Sequence, residues 1–468
     1  SPDSRDISSL YLDKGHLFFN LTPVEMKVVD HKIYYEFRMK EGKPARVKNI
    51  ILKGNTKTND HVILREIRTR PGDLFSRQDI IRTQRELAQL GFLDPEQFGV
   101  NPIPNPVDGT VDIEYSVVEK SSDQIELSGG WGGGRLIGTL GLSFNNFSLR
   151  NMFKKGAWAP LPSGDGQKLS IRAQTNGKFF QSYNFSFTEP WLGGKKPNNF
   201  SLWANYSNSS NGQKKSSDTY QGIGITGIGV GWGTRLKWPD DYFSSYLEGS
   251  YQYYDVRNYG SIFSFGNGYS NNISAKFVLS RNAIQGNPIY PSGGSKFTLT
   301  TKATLPYSLW DGISDYSEVD EQTKNKYTEY FKIKFTGEWY LPLTKDKKLM
   351  IVPRFGFGFL GAYNKNKGIS PFERFYMGGS GLSGFQLDGR EIIAMRGYDD
   401  QAISSGTGDP IITKFSVELR YPISLNPSAT IYALVFAEAG NTFTSWKTFN
   451  PFRLKSSAGV GLRIFLPM

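Results

Sequence analysis

The sequence predicts a transmembrane antiparallel β-barrel preceded by a small α/β region. Three observations predict it. Beyond about residue 120 the helical signals stop, and apolar and polar residues alternate in segments of barrel-strand length. The connections between those segments also alternate. They are short and usually proline-bearing after even-numbered segments, and longer and polar after most odd-numbered ones. Composition agrees: of 468 residues 33 are Phe, 25 Tyr and 51 Gly, yet hydrophobic content is only 38% and mean hydropathy is −0.42. A barrel wall averages lipid-facing with lumen-facing residues, so low mean hydropathy does not exclude a membrane protein. No run approaches the ~18 apolar residues of a membrane helix.

Residues 24–41, "VEMKVVDHKIYYEFRMKE", read as two closing strands of one α/β copy. Residues 44–119 read as a second. "ARVKNIILKGN" is a strand with Val47, Ile50 and Leu52 apolar, ended by Gly54-Asn55. "NDHVILREI" is a short helix. "SRQDIIRTQRELAQLG" is a longer one, with Ser76 as N-cap, Asp79 in the capping-box position and Ile80, Leu87 and Leu90 on one face. Gly91 stands at its C′ position. In "GTVDIEYSVVEK", Val111, Ile113, Tyr115 and Val117 alternate with polar residues. Both copies end in a strand followed by a glutamate.

About fourteen alternating segments follow: 123–131, 135–147, 166–176, 180–189, 198–209, 218–236, 242–256, 270–281, 293–305, 326–340, 348–362, 411–421, 429–440 and 455–466. In the last, Ala458, Val460, Leu462, Ile464 and Leu466 face one way; Ser457, Gly459, Gly461 and Arg463 face the other. Barrels of the outer membrane have short periplasmic turns and long external loops. The proline turns and the α/β region therefore share the periplasmic end, and the long connection 363–410 is external.

Other chemistries find little support. With 0 Cys no disulfide, thiol nucleophile or Cys-type zinc site is possible. His16, His31 and His61 show no metal-ligand spacing, so neither metal nor cofactor is expected. The net charge of +12 is spread along the chain, which fits solvated faces better than nucleic acid. "GVGWGT" and "MGGSGLSG" open no helix and carry no P-loop Lys-Ser/Thr. The chain is not expected to be an enzyme.

"GNTKTNDHVILREIRTRPGDLFS", "LAQLGF", "FTEPWLGG", "SRNAIQGNPIYPSGGS", "YMGGSGLSGF", "MRGYDD", "FSVELRYPI" and "FAEAGNTF", in that order, resemble the BamA family of outer-membrane protein assembly factors. The resemblance covers nearly the whole chain. It implies that 1–43 is the C-terminal part of a POTRA domain, 44–120 the last POTRA domain and 121–468 the barrel. The family barrel has sixteen strands, so about fourteen implies a chain lacking its last two. The start "SPDSRD" shows no signal peptide, which implies a processed or trimmed chain. The implied setting is the outer membrane of a Gram-negative-type cell, with POTRA domains in the periplasm. The implied role is the central subunit of the β-barrel assembly machinery. Its partners would be unfolded outer-membrane barrel proteins, accessory lipoproteins and outer-membrane lipid.

The resemblance also assigns a site. The family's long external loop folds back into the lumen and docks an Arg-Gly-aromatic tip; the matching residues are Arg396, Gly397 and Tyr398, preceded by Met395 where a small β-branched residue is usual. A lumen arginine needs an acidic partner. Val417, Leu419 and Tyr421 form one face of their strand, which turns Glu418 toward the lumen. The resemblance adds Glu438, whose direction is unclear because both faces of 431–439 are apolar. The competing reading pairs Arg396 with Asp399 or Asp400 at the surface. In the first segment Gly129, Gly130, Gly132, Gly133 and Gly134 weaken strand pairing. They mark either a flexible lead-in or one side of a lateral seam to which a client strand adds by β-augmentation. A two-partner secretion transporter and a soluble β-rich binding protein remain as alternatives.

Overall fold

A computed structural model describes residues 7–121, 123–132, 135–158, 161–260, 263–287, 289–379, 390–426 and 429–465. The chain forms two compact units, Ser1–Gln124 with Ser143–Leu169, and Ile125–Leu142 with Ser170–Met468.

In the first unit Asn20–Val29 and Lys32–Lys40 form an antiparallel hairpin. Its two turn residues, Asp30 and His31, both have positive φ, 49° and 60°, as the right-handed twist of a two-residue turn demands. The remainder builds a three-stranded sheet with Thr110–Ser116 central, parallel to Arg46–Lys53 and antiparallel to Gly99–Asn105. The last strand, "GVNPIPN", carries Pro102 and Pro104. Proline cannot donate to a ladder and is tolerated here because the strand lies at the sheet edge.

Val111, Ile113 and Tyr115 alternate inward from the central strand, and Ile80 and Leu87 meet them from the helix Arg77–Ala88. Each such side chain contributes about 1.5–3 kcal/mol by leaving water. Ser76 caps that helix, its side chain accepting from Asp79 N at 3.2 Å. The helix ends earlier than its spacing predicts. Gln89 N and Leu90 N bond back three residues to Glu86 and Leu87, which puts Gly91 one position beyond C′, still at φ 82°.

The second signature glutamate also finds a structural use. Glu119 accepts from Thr56 N and Oγ1, Lys57 N and Thr58 N at 2.6–2.9 Å, gathering the loop after Gly54 onto the end of the sheet. Gly54 has φ 96°, and a Cβ there would lie 1.9 Å from Val117 O, so only glycine fits. Burial works to raise the Glu119 pKa, but the bonds from Thr58, Lys57 and Thr56 outweigh it and hold the carboxyl down at about 2.

Beyond residue 123 one sheet runs in chain order, each strand pairing with the next. Its fourteen long strands are Gln124–Gly132, Arg135–Phe147, Gln167–Thr175, Phe180–Glu189, Asn198–Ser210, Gly222–Arg235, Phe243–Arg257, Gly268–Asn282, Pro291–Thr304, Phe331–Pro342, Met350–Gly361, Ile411–Asn426, Ala429–Phe443 and Lys455–Phe465. We number these wall strands one to fourteen. A two-residue strand, Gln285–Gly286, adds to the ninth.

The burial pattern inverts that of a water-soluble sheet. On the twelfth strand Phe415, Val417, Leu419, Tyr421 and Ile423 are exposed, while Thr413, Ser416, Glu418 and Arg420 are buried. Such a face is stable only against lipid. On the sixth strand Ile228, Val230 and Trp232 point outward, and Gly227, Gly229, Gly231 and Gly233 line the opposite face. Neighbouring rings lie flat on that glycine stripe: a Cβ on Gly229 would sit 2.5 Å from the Trp203 ring. The "GVGWGT" run is therefore a packing device.

Candidate functional site

The connection after the eleventh strand contains two three-residue strands, Phe375–Met377 and Glu391–Ile393, paired in parallel, which the sequence did not reveal. They pack Phe375, Met377 and Met395 against Leu360 and Ile412 of the wall. Met395, fully buried, thereby fixes the backbone just before Arg396.

Arg396 lies on the polar face of the wall. Its Nε and Nη2 donate to Glu438 Oε1 at 3.0 and 2.7 Å, and Nη2 also reaches Glu418 Oε1 at 3.0 Å. Its backbone N donates to Glu438 Oε2 at 3.0 Å. The guanidinium carbon stands 3.6 Å from the Phe436 ring centroid. Register explains the convergence: Phe436 is paired with Glu418 and Glu438 with Ser416, so all three side chains share one face of two adjacent strands. The ion pairs of Arg396 run to Glu418 and Glu438, and Asp399 and Asp400 are exposed.

Glu418 is fully buried and gathers further cations. Arg420 Nε and Nη2 donate to its Oε2 at 2.9 and 2.6 Å, Arg463 Nη2 to its Oε1 at 2.8 Å, and Arg354 Nη1 lies 3.3 Å from Oε2. Among the described residues Glu438 has only Lys414 as a cation besides Arg396, at 3.3 Å. Gly397 has φ 84°, and a Cβ there would come 3.2 Å from Ser457 Cβ. Tyr398 Oη donates to Ser456 O at 2.9 Å, tying the tip to the fourteenth strand.

A second ionic group holds the base of the same loop. Lys332, almost fully buried on the tenth strand, donates to Glu373 Oε2 at 3.0 Å, Glu373 O at 2.8 Å and Glu391 Oε2 at 2.7 Å. Lys302 also pairs with Glu373, and Lys334 with Glu391. Burial would push the Glu373 carboxyl up, but Lys332 and Lys302 hold it well below the usual carboxylate range. The sequence reading missed this group. Its one local signal is "FKIKF", where Lys332 and Lys334 alternate with Phe331, Ile333 and Phe335 and so share the polar face.

Among the glycines of the first segment, Gly129, Gly130 and Gly132 belong to the first wall strand, and Gly133 and Gly134 lie outside the described residues. Ile125 and Leu127 on that strand are exposed. Glu126 pairs with Arg172 of the third strand at 2.8 Å, passing over Gly141 of the second. Among the described residues the first strand pairs only with the second, and the fourteenth only with the thirteenth. The arrangement suits holding a loop and presenting a strand. Among the described residues no three His, Cys, Asp or Glu side chains gather to hold a metal.

The Omp85 superfamily domain matches residues 163–468, and the POTRA family, described as surface antigen variable number repeat, matches 45–120. The outer membrane protein assembly factor BamA of Neisseria meningitidis serogroup B is 24% identical over 463 residues, 95% of this chain and 51% of that protein. BamA of Neorickettsia risticii is 24% identical over 482 residues, 97% and 55% respectively. The chain thus spans about half the length of these relatives. Among solved structures, BamA from Haemophilus ducreyi lacking POTRA domains 1–3 aligns with TM-score 0.57 and 19% identity, over 98% of this chain and 86% of that one. CdiB from Escherichia coli aligns with TM-score 0.57 and 14% identity, over 98% and 76%.

Proposed function

The chain belongs to the Omp85 superfamily, and on that premise we propose that it is part of the central subunit of an outer-membrane β-barrel assembly machinery. It is a POTRA-bearing barrel of the outer membrane, with its POTRA region on the periplasmic side. We divide it into the C-terminal part of a POTRA domain at 1–43, the last POTRA domain at 44–120 and the barrel at 121–468.

The observation that carries the reading is the first wall strand. It is glycine-rich and exposes Ile125 and Leu127. Glycine weakens strand pairing, so such a strand can part from a neighbour and serve as a template for an incoming strand. An unfolded barrel protein adds to it by β-augmentation, and POTRA strand edges offer a similar template before insertion. No covalent chemistry is needed; the free energy comes from client folding in lipid. The Arg396 tip and the Glu373–Lys332 group keep the long loop against the wall while the edge works. Accessory lipoproteins and lipid complete the set of partners.

The test is photocrosslinking in membranes, with a reactive residue at Leu127 and a control at Leu419, during folding of a barrel client. Adducts to client strands from 127 and not from 419 support the reading. Adducts from neither, or equally from both, overturn it. The rival is a two-partner secretion transporter built on the same POTRA-and-barrel plan. That rival places a translocating substrate in the lumen, and adducts at Thr298 without adducts at 127 would select it.

A further inference from the structure

Residues 148–166 join the second and third wall strands. The N-terminal region precedes the first strand, so by parity this connection belongs to the same, periplasmic end of the wall. Its described residues are tied together by hydrogen bonds. Ser148 N donates to Pro162 O at 2.9 Å, Ser148 Oγ to Asp165 Oδ2 at 2.6 Å, and Asn151 Nδ2 to Ser163 O at 3.2 Å. Tight turns return Met152 N to Leu149 O at 3.2 Å and Lys154 N to Asn151 O at 3.0 Å. Trp158 Nε1 donates to Met152 O at 3.0 Å, which satisfies the indole within the loop.

Despite this ordering, the loop turns its large apolar side chains outward. Leu149, Phe153 and Trp158 are 47%, 88% and 57% exposed. Arg150, Lys154 and Lys155, also exposed, interleave with them, and "LRNMFKKGAW" contains no acidic residue. The neighbouring carboxylate, Asp165, is buried and bound to Ser148 and Asn59. Three outward apolar side chains on a pinned backbone are unfavourable in water. Three cations among them are unfavourable in hydrocarbon. Both are satisfied at a headgroup layer, where aromatic rings sit at the boundary and cations meet phosphate.

We propose that residues 149–158 form an interfacial anchor for the anionic phospholipid surface of the leaflet at the periplasmic end of the wall. Phe153 and Trp158 enter the acyl boundary, and Arg150, Lys154 and Lys155 bind headgroup phosphates. The anchor lies on the connection between the second and third wall strands. The anchor itself needs only the membrane and not the assembly activity.

The chain has 0 Cys, so Phe153→Cys gives a unique labelling site. The full chain carrying a spin label there is reconstituted into phosphatidylethanolamine bilayers, with and without phosphatidylglycerol. A label at Gln213→Cys, in a polar external loop, is the aqueous reference, and Lys155→Cys repeats the measurement should Phe153→Cys not fold. Label 153 is expected to collide with oxygen more than with a water-soluble nickel chelate, and label 213 the reverse. A fluorophore at 153 is expected to be quenched more by nitroxide-labelled phosphatidylglycerol than by nitroxide-labelled phosphatidylcholine. Combining R150Q, K154Q and K155Q should reduce that preference on the order of five-fold per cation. A label 153 as open to the chelate as label 213 in both bilayers overturns the proposal, as does equal quenching by the two lipids. Shielding that arises only when a second protein is added also overturns it, in favour of a protein partner.

Discussion

Replacing Arg396 with alanine separates the docked loop from a surface pairing. The backbone bond from residue 396 to Glu438 survives the change. Three side-chain bonds do not: Nε and Nη2 to Glu438, and Nη2 to Glu418. The two acids are affected unequally. Glu418 keeps Arg354, Arg420 and Arg463 within 3.3 Å. Glu438 keeps Lys414, at 3.3 Å. Breaking a buried pair costs about 3–5 kcal/mol, and the remaining lysine puts this case at the low end, about 3 kcal/mol. Loss of the contact with Phe436 adds about 1 kcal/mol. A change of about 4 kcal/mol raises the undocked fraction on the order of 1000-fold. The assay is limited proteolysis within 399–408 of the full chain in bilayers, with gel mobility of the unheated protein as a check on barrel folding. R396A should be cleaved much faster than the parent, R396K should fall between them because lysine lacks the fork, and D399A should match the parent. If R396A and D399A both behave as the parent, the two glutamates do not hold the loop and the argument fails.

Three other changes probe separate parts. Lys332→Met removes the lysine shared by Glu373 and Glu391, leaving Lys302 and the Tyr330 hydroxyl on the first and Lys334 on the second, and should loosen the base of the loop by about 3 kcal/mol, read as amide exchange in 369–377. Gly229→Val drives a side chain into the Trp203 ring and should destabilise the wall by about 1–3 kcal/mol, read as a lower temperature for the gel-mobility transition. Glu119→Gln removes the charge and one of the two accepting oxygens of a carboxyl whose folded pKa, about 2, lies below its ordinary 4.5. The depressed value means the stabilisation is present above the ordinary pKa and lost as pH falls toward 2; after discounting for solvent screening it is about 1–2 kcal/mol at neutral pH, read as amide exchange at Thr56, Lys57 and Thr58.

Much of this architecture could be read from the sequence because period two is a local signal. Each of the fourteen segments carries its own alternation, so each was found without its neighbours. Glu418 was assignable to the polar face for the same reason. The direction of Glu438 was not, and the structure shows why. Tyr432 and Leu434 also point to that face, where they pack on Tyr290, Tyr340, Met350 and Val352, so an interior apolar cluster blurs the alternation. The lysine group was missed because its partners lie 41 and 59 residues away from Lys332 and no local pattern links them. The strand Gly99–Asn105 was missed because its prolines argue against a strand unless its edge position is known.

The inverted wall has a practical consequence. Its greasy side chains have no dry interior of their own, so the medium around the protein does the work that a hydrophobic centre does elsewhere. Exchanging one detergent or bilayer for another then amounts to mutating every outward residue of the wall at once. A stability measured for this chain is a property of the pair, protein and amphiphile, and comparisons between variants hold only within one such pair.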